Sequence, residues 1–182
     1  LDIQNVEMFG GRLKLTAEGS NSENPFPIKT NVVAEGIDLA TLSKSLSNSI
    51  KIPYGVAGNV KRATFQGVLN SQTNVAGLAF LEVGKVSISY SNVQKNIIKD
   101  GSLKAKLEFK GRDLNFKVDA AAGSILPQFS GIVKDFLEKG RSLQIKGILP
   151  EVNLTEIRNS FWDVFPDSLL YAGLDGSVSS DF

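Results

Sequence analysis

Apolar and polar residues alternate along most of this chain, the period expected of strands that hold one face away from water and show the other to it. The clearest run sets Leu103, Ala105, Leu107 and Phe109 on one side and Lys104, Lys106, Glu108 and Lys110 on the other. Next, Leu114, Phe116, Val118 and Ala120 alternate with Asn115, Lys117 and Asp119, and Gly111-Arg112-Asp113 between the two runs predicts a hairpin. The same period recurs at Leu13, Leu15 and Ala17; at Ile28, Thr30, Val32 and Ala34; and at Ala63, Phe65 and Leu69. It returns at Val86, Ile88 and Tyr90, and at Leu143, Ile145 and Leu149. Turn-forming residues separate the runs: Gly10-Gly11, residues 20–27, residues 70–74, Asp100-Gly101 and Gly140. Strands of a parallel α/β sheet are buried on both faces and read as unbroken apolar runs between amphipathic helices, a pattern this chain lacks. The expectation is therefore a mainly β protein built as an antiparallel meander.

Two segments break the alternation, and they match each other. Asp38 precedes Leu39, Leu42 and Leu46; Asn153 precedes Leu154, Ile157 and Phe161 at the same spacing, in each case a helix cap followed by a short apolar stripe. Glu156 is placed to complete a capping box with Asn153. A β-branched residue, Ile37 or Val152, comes before each cap, and a Gly-x-x-Gly-x-Val return follows: Gly55, Gly58, Val60, then Gly173, Gly176, Val178. Agreement of cap, stripe and glycine return in the same order predicts a repeat, with residues 1–70 as one unit and 71–182 as a second. Each helix would lie across the sheet while the glycines let the returning strand pass beneath it or form a bulge. A third stretch, Ile132, Val133, Phe136 and Leu137 up to Gly140, fits either a short helix or a strand with a turn.

Composition removes whole classes of chemistry. With no histidine and no cysteine, the commonest general base, the usual zinc ligands and the Ser-His-Asp and Cys-His nucleophile systems are all missing. A glycosidase could run on two carboxylates, but the acidic residues here fall on polar strand faces and in turns, where they are simply solvated. Neither dinucleotide nor phosphate-loop glycine patterns occur, and Asp100-Gly101 and Asp175-Gly176 lack the alternating oxygen ligands of a calcium loop. The expectation is a non-enzymatic protein without metal or cofactor. Twenty Lys and Arg against nineteen Asp and Glu, a net charge of +1, provide no basic field for nucleic acid. The absence of cysteine suits an oxidising compartment, but cysteine-free cytosolic domains are also common, so it decides little. The longest apolar stretch, residues 75–81, is far below the ~20 residues that cross a bilayer. The chain opens at Leu1 and stops at Asp181-Phe182 within apparent strands, which predicts a single fragment of a larger protein whose targeting or anchoring segment lies elsewhere.

So many one-sided strands raise the question of what covers their apolar side, since a soluble monomer tolerates an exposed patch of only about 300–600 Å². A second sheet, the two short helices, or acyl chains in an open curved groove would each serve. Trp162, Phe165 and Pro166 fit an exposed patch or a core anchor, and Tyr54, Tyr90, Tyr171 and Trp162 are too scattered to suggest a carbohydrate platform.

Leu1-Asp2-Ile3, the segment Phe9-Gly10-Gly11-Arg12-Leu13, Ile37-Asp38-Leu39 and the glycine return resemble the repeats of AsmA-like proteins, the TamB-type envelope proteins related to bridge-like lipid-transfer proteins. The stretch 143–182, with its strand, capped helix, Phe-Pro turn and "GLDGSVS" strand, is similar to the same repeats. This resemblance implies an open, curved, groove-forming antiparallel sheet that carries phospholipid or assists outer-membrane assembly. It also implies a periplasmic location in a Gram-negative bacterium, a parent chain anchored in the inner membrane, and neighbouring repeats as partners. The expected groove residues are Leu13, Leu15, Ala63, Phe65, Leu103, Ala105, Leu107, Phe109, Leu114, Phe116 and Val118. The rival expectation is a closed β-sandwich that serves as a structural or protein-interaction module with no lipid role.

Overall fold

Apart from one two-residue strand, each strand hydrogen-bonds to the next along the chain, so the local alternation becomes one antiparallel meander. The computed structural model describes residues 1–19, 27–46, 54–71, 74–90, 96–138, 140–160 and 177–181. The strands are β1 (Asp2–Met8), β2 (Gly11–Gly19), β3 (Ile28–Glu35), β4 (Ile37–Asp38), β5 (Tyr54–Ser71) and β6 (Asn74–Tyr90). They continue as β7 (Asn96–Gly111), β8 (Asp113–Ala121), β9 (Gln128–Lys134), β10 (Ser142–Asn153) and β11 (Ser177–Asp181). Helix α1 (Leu39–Leu46) follows β4, and α2 (Leu154–Ser160) follows β10. All strands belong to a single sheet in the order β1-β2-β3-β5-β6-β7-β8-β9-β10-β11, with β4 extending the β3 side of β5. The sheet does not close: β1 and β11 form its two edges.

Turn chemistry explains the tight hairpins. Phe9 (φ 49°) and Gly10 (φ 75°) both take left-handed backbone between the paired Met8 and Gly11, the two-residue turn whose twist suits antiparallel strands. Gly111 (φ 68°) and Arg112 connect β7 to β8 across the Lys110–Asp113 pair, the hairpin expected from sequence. Asp100-Gly101, by contrast, is no turn. It sits inside β7, where Asp100 (φ 52°) lies at a register shift against β6, and Lys85 (φ 54°) marks a matching shift on the opposite strand. These are bulges, which bend and twist a long hairpin without ending it. The stretch around Ile132 resolves as strand β9 followed by a turn through Asp135, with Phe136 N donating to Arg112 O at 3.0 Å.

The two helices occupy equivalent places. Ile37 pairs with Val60 next to α1, and Val152 pairs with Val178 next to α2. Asp38 caps α1 by accepting from Thr41 N at 2.9 Å and Thr41 Oγ1 at 2.5 Å; Asn153 Oδ1 caps α2 by accepting from Thr155 N at 2.7 Å, with Glu156 exposed. Of the residues singled out in sequence, Phe161, Trp162, Phe165, Pro166, Tyr171, Gly173 and Asp175-Gly176 lie outside the described set.

The hydrogen bonds from Thr41, side chain first and backbone second, hold the Asp38 carboxyl below its ordinary value of 3.8. A depressed carboxylate stabilises the fold above its unfolded pKa, and that contribution is lost as pH falls through the lower folded value. Acid should therefore loosen α1 in the wild type, whereas Asp38→Asn, which caps without charge, should be insensitive over the same window; amide exchange along residues 39–46 reads this. Replacing Asn153 with Ala should destabilise the fold by about 1 kcal/mol in urea denaturation, the usual cost of losing such a cap.

Among the described residues, core packing is concentrated at one rim. Ile37, Val60 and Val83 form the buried cluster, packed by Met8, Phe9, Leu39, Leu42, Leu81 and Leu103. Ala122, Ile125 and Val152 are buried farther along the same rim, at the β8–β9 connection and at the foot of α2. Away from that rim, Ala105 is the other buried hydrophobic among the described residues, and no large side chain anywhere in this set is fully buried.

Candidate functional site

Strand register carries the apolar positions across the sheet in rows. One row runs Leu13, Ala34, Ala63, Leu81, Ala105, Val118, Phe129; the next runs Leu15, Val32, Phe65, Ala79, Leu107, Phe116, Gly131, Ile145. A third runs Ala17, Thr30, Gly67, Gly77, Phe109, Leu114, Val133, Leu143. Leu103 sits one row nearer the buried rim, between Val83 and Ala120. Leu13, Leu15, Ala63, Phe65, Leu103, Ala105, Leu107, Phe109, Leu114, Phe116 and Val118 therefore all share one face of the sheet. From β2 to β10 that face spans about 34 Å at ~4.8 Å per strand.

The face is concave, and its curvature can be read at the glycines. Phe65 and Phe109 stand on strands separated by β6, yet their rings meet edge to face with centroids 5.5 Å apart. Gly67 and Gly77, which pair with each other between them, leave the space for this. A Cβ on Gly77 would lie 2.5 Å from Gln66 O and 2.6 Å from Gly67 Cα, and one on Gly67 would lie 2.7 Å from the Phe65 ring. Gly131 repeats the arrangement: the Phe116 ring would be 2.7 Å from its Cβ. Aromatic rings lying over glycines, on the same strand at Gly67 and on the neighbouring strand at Gly131, cover the missing side chains and permit tight bending. Phe136, from the β9–β10 turn, reaches over the open rim to Phe109, with centroids 5.4 Å apart. Arg112 fixes that turn through ion pairs to Asp135 (2.9 Å) and Glu138.

Side chains in the middle of the concave face shield one another and are half-buried, whereas its two ends are open. Val6 on β1 is 41% exposed, and Leu143 and Ile145 on β10 are 61% and 48% exposed. Strand β11 pairs with β10 only from Ile148 to Asn153, so the edge beside Leu143 and Ile145 is unpaired among the described residues. The convex face is mostly polar, with Leu78, Phe80 and Ile148 as exposed apolar exceptions. Lys61 meets Glu82 at 3.5 Å, Arg62 meets Glu35 at 3.7 Å, and Lys110 meets Glu108 at 3.0 Å, where it holds the Glu108 carboxyl below its ordinary value.

Several residues of the concave face were not foreseen. Ala79 and Leu81 lie in a stretch whose outward positions, Ala76, Leu78 and Phe80, are apolar too, which erases the alternation. Phe80 is 50% exposed on the polar face, with Lys106 Nζ 5.9 Å from its ring centroid. Phe136, in the stretch that fitted either a short helix or a strand with a turn, lies in the turn, and the spacing did not show that it reaches this face. No helix among the described residues is long and apolar enough to cross a membrane. No family model, curated protein or solved structure matches the chain.

Proposed function

We propose that this chain is a segment of a lipid conduit whose concave face shelters acyl chains of phospholipid. The observation that carries the reading is a continuous apolar face, about 34 Å long, on a sheet that neither closes nor receives a second sheet among the described residues. Its chemistry suits hydrocarbon. The rows contain aliphatic and phenyl groups and glycine, with Thr30 the one hydroxyl, so nothing on them would select a peptide or sugar. A bilayer's ~30 Å hydrocarbon core accommodates two acyl chains end to end, so the face is long enough for the same. Exposed apolar side chains at both ends of the sheet favour continuation into neighbouring repeats, as does the similarity of the two capped helices. The resemblance to AsmA-like repeats favours a periplasmic conduit, in a parent protein anchored to the inner membrane and serving outer-membrane assembly.

Mass spectrometry of lipid extracted from the purified chain tests the reading. Phospholipid at near one equivalent per chain is expected; a chain that is folded and free of lipid would instead indicate a structural or protein-binding module.

A further inference from the structure

We infer that the convex face carries a second site, which binds the phosphate of an anionic phospholipid at a bilayer surface through Lys117 and Lys146. Strand register sets Phe80, Lys106, Lys117, Ser130 and Lys146 in one row across β6 to β10. Lys106 and Lys117 are direct cross-strand partners, an arrangement that is unfavourable for like charges unless a counter-charge joins them. The nearest carboxylate, Glu108, bonds to Lys110 at 3.0 Å and to Asn115 at 3.5 Å and also faces the charge of Lys106, whereas no ion pair from Glu108 or Asp119 to Lys117 occurs among the described residues. Lys106 leans over the Phe80 ring, while Lys117 and Lys146 make no ion pair among the described residues.

Between these two lysines lies a depression of about 640 Å³, lined also by Gln128, Ser130 and Ile148 and, from the intervening strand positions, by Phe129 and Gly147, and by no carboxylate. Two ammonium groups, a hydroxyl and an amide are the donors that a phosphate diester accepts from. Ile148 on its border is 50% exposed, and Phe80 and Leu78 on the same face are 50% and 40% exposed. Lysines interleaved with exposed apolar side chains match the boundary between headgroups and acyl chains, which favours a membrane surface over a soluble anion. The inference does not depend on what fills the concave face, because the two faces point in opposite directions.

The test is sedimentation of the lipid-stripped chain with phosphatidylcholine vesicles, with and without phosphatidylglycerol. Binding is expected only with phosphatidylglycerol, weakening as salt rises. Lys117→Gln with Lys146→Gln should reduce it roughly thirtyfold, given the contribution of each lysine near an anionic surface. Lys14→Gln with Lys29→Gln removes the same charge from the far end of the same face and should leave binding within about twofold of wild type. Equal loss in both double variants, or no loss in the first, overturns the site. Protection of the Lys117 and Lys146 amines from acylation by inorganic phosphate, without any vesicle binding, overturns the membrane assignment.

Discussion

Leu107→Glu is expected to lower the phospholipid carried by the purified chain roughly a hundredfold while leaving the sheet folded. Leu107 lies mid-face, between Ala79 on β6 and Phe116 on β8, where an acyl chain crossing the strands would touch it. A carboxylate in hydrocarbon costs about 3 kcal/mol, the origin of the hundredfold figure. Leu107 is only half-buried, so without lipid the introduced charge reaches water and folding should lose no more than about 2 kcal/mol. Extracted lipid and urea midpoints, measured on the same preparation, separate the two effects. Lys104→Glu on the convex face serves as control and should keep its lipid. Unfolding of Leu107→Glu would mean that the face is a closed core.

The second large effect is expected at Gly77. A valine there would drive its Cβ into Gln66 O and Gly67 Cα, both backbone atoms of the adjacent strand, so no side-chain adjustment can relieve the contact. Overpacking of this kind costs about 3 kcal/mol. It should also flatten the sheet locally and part the Phe65 and Phe109 rings. Urea denaturation reads the stability, and ring-to-ring nuclear Overhauser contacts read the curvature. Gly140→Val, at a glycine with open space around it, should cost under about 0.5 kcal/mol. If Gly77→Val is equally mild, the face is not bent there.

Period-two alternation made most of this fold legible, because pairing strands in sequence order puts every inward position of one strand opposite an inward position of the next. That is why residues as distant as Leu13 and Val118 could be assigned to one face from pattern alone. The pattern failed where its physical basis failed. In β6 both faces carry apolar residues, so Ala79 and Leu81 were hidden. Asp100-Gly101 has the composition of a turn but serves as a bulge, because β6 and β7 are long enough to continue past it and the paired irregularity at Lys85 absorbs the shift. Sealing of one rim by Ile37, Val60 and Val83, and the reach of Phe136 over the other, depend on contacts between residues far apart in sequence. Local spacing does not encode them. The choice among a second sheet, helices and an open groove was likewise beyond the pattern, since all three demand the same one-sided strands.

Site-specific photo-crosslinking tests directly whether acyl chains lie along the concave face, as proposed. A benzophenone side chain placed at Leu107 or Phe116 should capture phospholipid, while the same group at the adjacent outward positions, Lys106 or Lys117, should capture none once vesicles are absent. Equal capture from both faces, or none from the inward positions in a folded chain, would contradict the account.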